Sequence, residues 1–228
     1  MPRVPVKIVT WEEIVEWSWG LAKKIKESGY RPDIIVGIAR GGLVPARLLC
    51  DFLGVENFLS IQSQHWTEAA KVSEKALIKF EYVVDLSGMK VLLVDDIVDT
   101  GDSMILAKNF IESRWRPAEL KTAALQWISP VAKIKPDFYF VEVREWVWFQ
   151  YPWTRLEDVT QFLKRMVETE ARESGKKEWS YDELVAKFYE WYGVEVSQIG
   201  EKYFKEAIEI LKERNILEEK NGKFMVRI

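Results

Sequence analysis

The amino-acid sequence predicts an α/β protein: an open, mainly parallel sheet flanked by helices, with a small C-terminal helical, winged-helix-like module. Three observations predict it. Short apolar runs are followed by glycine turns and then by stretches of helical period, the grammar of a sheet whose ligands sit at the carboxyl ends of its strands. Val91-Leu92-Leu93-Val94 is a continuous apolar run of the kind buried on both faces of a parallel sheet. Near the end of the chain, Asn221-Gly222 separates two strand-like runs, a strong hairpin signal.

The elements follow in order. Ile14, Val15, Leu21, Ala22 and Ile25 fall near helical spacing and predict a helix over Trp11–Lys26, with Thr10 as its N-cap and Gly29 and Pro32 closing it. Asp33–Ile38 reads as a short buried strand, Leu43–Phe52 as a helix resumed after a glycine turn, and Phe58–Ile61 as another apolar run. From Gln62 to Lys79 the sequence is polar and without period. Beyond Val94 the pattern predicts a helix over Met104–Ile111 and strands over Leu120–Ile128 and Phe138–Val143. Leu156–Arg172 reads as a helix, Ala171–Ser180 as a polar link, and Tyr181–Trp191 and Glu201–Arg214 as two more helices. Ile216–Glu219 and Lys223–Val226 form the expected hairpin. The polar link divides the chain into one domain over residues 1–165 and a module over residues 180–228.

Composition excludes several classes of function. Charged residues make up 30% of the 228, the balance of a globular chain that is expected to be cytoplasmic. No apolar run reaches the roughly 18 residues of a membrane span, and the start lacks a signal peptide's apolar core. Cys50 is the single cysteine, which excludes an internal disulfide and suits a reducing compartment; its apolar neighbours make it core filler. A net charge of −3 offers no global field to nucleic acid or an anionic membrane. From Thr160 onward, thirteen basic residues face fourteen acidic ones, so the C-terminal module has no basic excess and nucleic acid is not an expected partner.

The most informative stretch is VLLVDDIVDTGDS, Val91 to Ser103. Four apolar residues bring the chain to the sheet edge, Asp95 and Asp96 follow, and Asp99, Thr100, Gly101, Asp102 and Ser103 open a helix. Gly and hydroxyl residues at a helix N-terminus make an anion site, because free backbone N–H groups point outward. Carboxylates beside such a pocket suit a ligand that also carries hydroxyls and Mg²⁺.

This run resembles the signature of the type I phosphoribosyltransferase family: an apolar strand, two acidic residues and a D-T-G-x-[ST] turn. The resemblance, which covers roughly Val6–Thr160, implies that Thr100, Gly101, Asp102 and Ser103 hold the 5-phosphate of PRPP. It implies that Asp95 and Asp96 hold the ribose hydroxyls, directly or through Mg²⁺-bound water, and that Asp99 acts as base or acid at N7 of a purine. Ile35–Leu49 looks like the family's pyrophosphate loop, with Arg40, Gly41 and Gly42 gripping the leaving group at a turn that is often cis. Pro136–Trp153 resembles the xanthine–guanine and hypoxanthine branch, in which Trp148 would stack on the base and the backbone of Phe149 would meet its edge. Trp146 and Trp153 read as members of a buried aromatic cluster. Ser63–Lys79 corresponds to the family's flexible loop, although His65-Trp66 stands where relatives carry a Ser-aromatic pair; His65 reads as a surface residue.

One departure concerns the base. In the 6-oxopurine branch a lysine donates to O6, whereas Ala123–Pro130 contains none, with Ile128 or Ser129 at its position and Lys133 too far along. Loss of that obligate donor removes affinity for hypoxanthine and guanine and a clash with adenine's amino group. Adenine is therefore the expected substrate, and a 6-oxopurine is the alternative. A PRPP-sensing transcription regulator is the alternative of another class. The resemblance further implies a Mg²⁺-dependent salvage enzyme that forms a homodimer or larger assembly. The signature set is complete before the link, so a chain ending near Thr169 is expected to fold and keep its activity.

Overall fold

The computed structural model describes residues 2–67 and 74–227. In chain order the first half contains β1 (Val6–Ile8), α1 (Trp11–Glu27), β2 (Ile34–Ala39), α2 (Leu43–Leu53), β3 (Asn57–Thr67), β4 (Glu74–Lys79) and β5 (Lys90–Val98). Then come α3 (Asp102–Arg114), β6 (Glu119–Ile128), β7 (Phe138–Val143), β8 (Trp148–Gln150) and α4 (Arg155–Glu173). The chain ends with β9 (Glu178–Trp179), α5 (Tyr181–Tyr192), α6 (Val196–Ile199), α7 (Glu201–Glu213), β10 (Leu217–Lys220) and β11 (Lys223–Val226).

Two compact units result. The first, Trp11–Trp146, carries a six-stranded sheet in the order β4-β3-β2-β5-β6-β7. All neighbours are parallel except β3 and β4. β2 and β5 are central and buried almost throughout, which is why their sequences are continuously apolar. Val36, Val91 and Leu93 pack with Met104, Ala107 and Ile111 of α3 and with Trp115, its C-cap, in one core cluster. α2 covers the other side of β2, where a Cβ on Gly37 would lie 3.1 Å from the Cβ of Ala46. From β2 the chain winds to β3 on one side and returns to β5 on the other. The strand order thus reverses at β2, and a crevice opens where the β2 and β5 loops part, the usual ligand position of such sheets.

Two local readings change here. The polar stretch after Ile61 does not end the strand: β3 runs to Thr67 and pairs antiparallel with β4, from Gln62 opposite Lys79 to Thr67 opposite Glu74. Backbone pairing supplies what side-chain periodicity did not signal. Residues 68–73 of the expected flexible loop, and the side chains of His65 and Trp66, lie outside the described residues. Trp146 is 44% exposed and so is not a buried residue, whereas Trp153 stacks on Tyr151 at 4.8 Å between ring centroids.

The second unit combines Met1–Thr10 with Val147–Ile228. β1 pairs in parallel with β8, Val6 opposite Trp148. The hairpin forms as the Asn-Gly signal requires, with Leu217 opposite Val226 and both Asn221 and Gly222 at positive φ. β9 joins it to make a small antiparallel sheet, β10-β11-β9. The boundary drawn at residues 165–180 runs elsewhere. Phe162, Leu163, Met166, Val167 and Ala171 of α4 share one core with Leu184, Phe188, Phe204, Ile208 and Leu211. Trp179, inside the polar link, is fully buried. A link can be polar in composition and still contribute its one large apolar residue to a core.

Candidate active site

The turn after β2 is shaped by what surrounds it. The Ala39–Arg40 peptide is cis, and Arg40, just beyond the end of β2, is exposed. Gly42 N–H donates to the Ile38 carbonyl at 2.9 Å. A Cβ on Gly42 would stand 2.6 Å from the Val94 carbonyl oxygen and 2.7 Å from that of Ile38. A Cβ on Gly41 would stand 2.2 Å from Asp96 Oδ2. At Gly42 the obstacles are backbone and leave room only for glycine, whereas at Gly41 the Asp96 carboxylate would have to move; the backbone passes directly over the end of β5.

At that end, Asp95 and Asp96 are buried, 8% and 9% exposed. Asp96 N–H donates to Asp95 Oδ1 at 3.0 Å and Ile97 N–H to Asp96 Oδ1 at 2.9 Å. Burial pushes the Asp95 carboxyl well above the usual carboxylate range, and the neighbouring Asp96 charge pushes the same way. Two buried carboxylates that repel one another are a set that a hard cation with oxygen preference would relieve. Among the described residues no group of three or more His, Cys, Asp or Glu could hold a metal by itself, so such a cation would need further oxygen ligands.

The chain then turns through Asp99 and Thr100, both exposed, to Gly101 at φ +87°, and α3 starts at Asp102. Thr100 Oγ1 donates to Asp102 Oδ2 at 3.0 Å and accepts from Asp102 N–H at 3.4 Å. Ser63, just beyond the end of β2 on the neighbouring strand, donates its hydroxyl to Ser103 Oγ at 3.0 Å. The next connection closes over the turn: Lys133 N–H donates to the Thr100 carbonyl at 2.8 Å, and a Cβ on Gly101 would meet Ile134 Cγ2 at 2.7 Å. Both turns line one cavity of about 250 Å³. It joins an anion-accepting helix N-terminus to a carboxylate pair and an arginine, an arrangement fitted to a phosphorylated, hydroxyl-bearing ligand.

Residues 7–157 match the phosphoribosyl transferase domain. The chain belongs to the phosphoribosyltransferase family. It is 30% identical over 152 residues to a xanthine-guanine phosphoribosyltransferase of Cereibacter sphaeroides, covering 64% of this chain and 84% of that one. It is similar in structure to a purine phosphoribosyltransferase from Pyrococcus horikoshii, at TM-score 0.57 and 32% identity over 66% of this chain and 94% of that one. The Helicobacter pylori xanthine-guanine-hypoxanthine phosphoribosyltransferase, at TM-score 0.57 and 20% identity, covers 68% of this chain and 99% of that one and shares the fold.

In this phosphoribosyltransferase, an enzyme of the glycosyltransferase class, the cavity is lined by Arg40, Gly41, Asp95, Asp96, Asp99 and the Thr100–Ser103 turn. Gly42 lies beneath it as the point where the backbone touches β5. Trp148 and Phe149 belong to the other compact unit, on β8, where the Trp148 ring meets Phe162 edge-on at 5.4 Å. Ser63 and Lys133 are the contributors that sequence motifs missed. Ser63 could have been found from strand adjacency alone, since parallel neighbours bring their carboxyl ends to one edge. Lys133 carries no such signal, because it stands 31 residues from Asp102, on a connection outside the motif.

Proposed function

We propose that this phosphoribosyltransferase is a purine salvage enzyme that transfers ribose 5-phosphate from PRPP to a 6-oxopurine, releasing pyrophosphate. The observation that carries the reading is the anion-accepting turn beside a buried carboxylate pair, in a chain 30% identical to a xanthine-guanine phosphoribosyltransferase. In this reading Thr100, Gly101, Asp102 and Ser103 hold the 5-phosphate through backbone N–H groups and hydroxyls. Arg40, with the Gly41 amide, holds the pyrophosphate, whose negative charge a guanidinium matches with paired donors; the Gly42 N–H is held by the Ile38 carbonyl and shapes the turn. As the C1–oxygen bond to pyrophosphate breaks and the bond from purine N9 forms, C1 becomes cationic. The Asp95 and Asp96 carboxylates stabilise that cation electrostatically and orient the ribose hydroxyls. Asp99 takes the proton from N7. Mg²⁺, held at Asp95 and Asp96 through water, would neutralise charge on the diphosphate. The family resemblance assigns base stacking to Trp148 and the base edge to the Phe149 backbone.

The missing lysine argued for adenine. Relatives in the xanthine–guanine group argue against that expectation, and Ser129 does not restore it: its N–H and hydroxyl both donate to the Val143 carbonyl, at 3.0 and 3.4 Å. A regulator role is disfavoured by α7, whose exposed residues Glu201, Lys202, Lys205, Glu206, Glu209 and Glu213 mix both signs. The deciding assay supplies PRPP and Mg²⁺ with each common purine in turn. At least one 6-oxopurine is expected to exceed adenine about tenfold in kcat/KM, the share of one buried unsatisfied group in specificity. Preference for adenine would return the assignment to the lysine argument, and no turnover with any base would remove the enzyme reading.

A further inference from the structure

The 5-phosphate turn contains a charge that opposes its own ligand. Asp102 opens α3, where the helix N-terminus attracts anions, yet its carboxylate is itself an anion within the turn proposed to take a phosphate dianion. Lys133, on the connection between β6 and β7, answers it. Its ammonium donates to both Asp102 oxygens, at 2.7 Å to Oδ1 and 3.0 Å to Oδ2. The lysine is brought there by its own backbone: Lys133 N–H donates to the Thr100 carbonyl at 2.8 Å, and Ile134 packs on Gly101. The ammonium is thereby held at the turn from a separate element, while Thr100 Oγ1 donates to the same carboxylate from within it.

We propose that Lys133 is a positioning residue for PRPP, which cancels the Asp102 charge so that the turn accepts the 5-phosphate. The inference rests on the phosphoribosyltransferase reading of the turn and extends it to a residue outside the signature motif. Uncompensated, a carboxylate in the same turn as the phosphate repels it, and like charges at such range oppose binding. The pair is partly exposed, with side chains 62% and 34% accessible, so solvent moderates the effect. Lys133 acts through Asp102 and not on C1, so the binding of PRPP depends on it while the chemical step does not.

A double-mutant cycle tests the proposal, with the KM for PRPP, kcat, and inhibition by ribose 5-phosphate as readouts. Lys133→Met is expected to raise the KM for PRPP and the inhibition constant of ribose 5-phosphate about three- to fivefold, with kcat within about twofold. With Asp102→Asn also present, the same lysine substitution is expected to change neither constant by more than about twofold. A purely structural role for Lys133 would not be rescued by Asp102→Asn. Equal losses in both backgrounds would mean that Lys133 acts directly on phosphate or on the loop, and no loss in either would remove it from binding; both outcomes overturn the proposal. Wild-type enzyme that does not use PRPP would overturn the functional reading itself, and the inference with it. Retained thermal transitions in all variants separate binding losses from unfolding.

Discussion

Single residues carry the chemistry in two ways, through charge and through absence of a side chain. Asp99 is exposed and lines the cavity, and in the proposed reading it takes a proton from the base. Asp99→Asn keeps the size and the hydrogen-bonding capacity but cannot accept a proton. It is expected to lower kcat by about 10²–10⁴ with the KM for PRPP nearly unchanged, measured by steady-state kinetics. Wild-type turnover would take Asp99 out of the mechanism. Gly42 makes the opposite case. Its missing Cβ leaves room for the Val94 and Ile38 carbonyls, both backbone, and neither can swing aside. Gly42→Ala should therefore cost about 1–3 kcal/mol or more in urea denaturation, and distort the pyrophosphate turn with it. The two residues differ in how far the sequence could reveal them. The Asp99 role is carried by a thirteen-residue motif. The steric need at Gly42 depends on β5 passing within contact, and that neighbour lies some 50 residues away in sequence.

At the scale of elements, periodicity and turn chemistry identified most of what formed. β7 matches its expected span, and the Asn221-Gly222 turn pairs the strands it was expected to pair. The reading failed where stability comes from a partner strand, as in the β3–β4 pair, or where an element is very short, as in β1, β8 and β9. α5 shows local chemistry at full strength. Ser180 Oγ accepts from Glu183 N–H at 3.2 Å, and the Glu183 carboxylate accepts from Ser180 N–H at 2.7 Å, a capping box. The Lys176 ammonium, donating at 2.5 Å, and the Ser180 N–H hold the Glu183 carboxyl down at about 2. A carboxyl depressed in the folded state adds stability above its unfolded pKa, here near the ordinary 4.5, and loses it as pH falls toward 2. Wild type and Glu183→Gln should therefore differ in stability at neutral pH and converge as the pH drops from about 4.5 to about 2, followed by chemical denaturation. A constant gap across that window would assign the effect to shape, not charge.

At the scale of the whole molecule, the C-terminal unit cannot be trimmed where composition suggested. A chain ending near Thr169 would strip Phe162, Leu163, Met166 and Val167 of the helices that cover them. Each such side chain gains roughly 1.5–3 kcal/mol on burial, so exposing all four costs about 6–12 kcal/mol, comparable with the stability of a typical domain. The truncated chain is expected to aggregate or to bind hydrophobic dyes strongly; a soluble, cooperatively folding product would show that α4 is stable without its partners. Among the described residues no helix is long and apolar enough to cross a membrane. What the sequence alone determined was most of what depends on neighbours within about one element: the longer strands and helices, the hairpin, and the Asp95–Ser103 motif with its adjacent carboxylates. Tertiary structure alone decided the strand order that puts the Arg40 and Asp95 turns on one crevice, the close backbone approach at Gly42, the Lys133–Asp102 pair, and the joining of the first ten residues to the C-terminal unit. The reason is physical: local pattern encodes which face of an element is apolar, whereas which other element covers that face is set by packing between segments far apart in the chain.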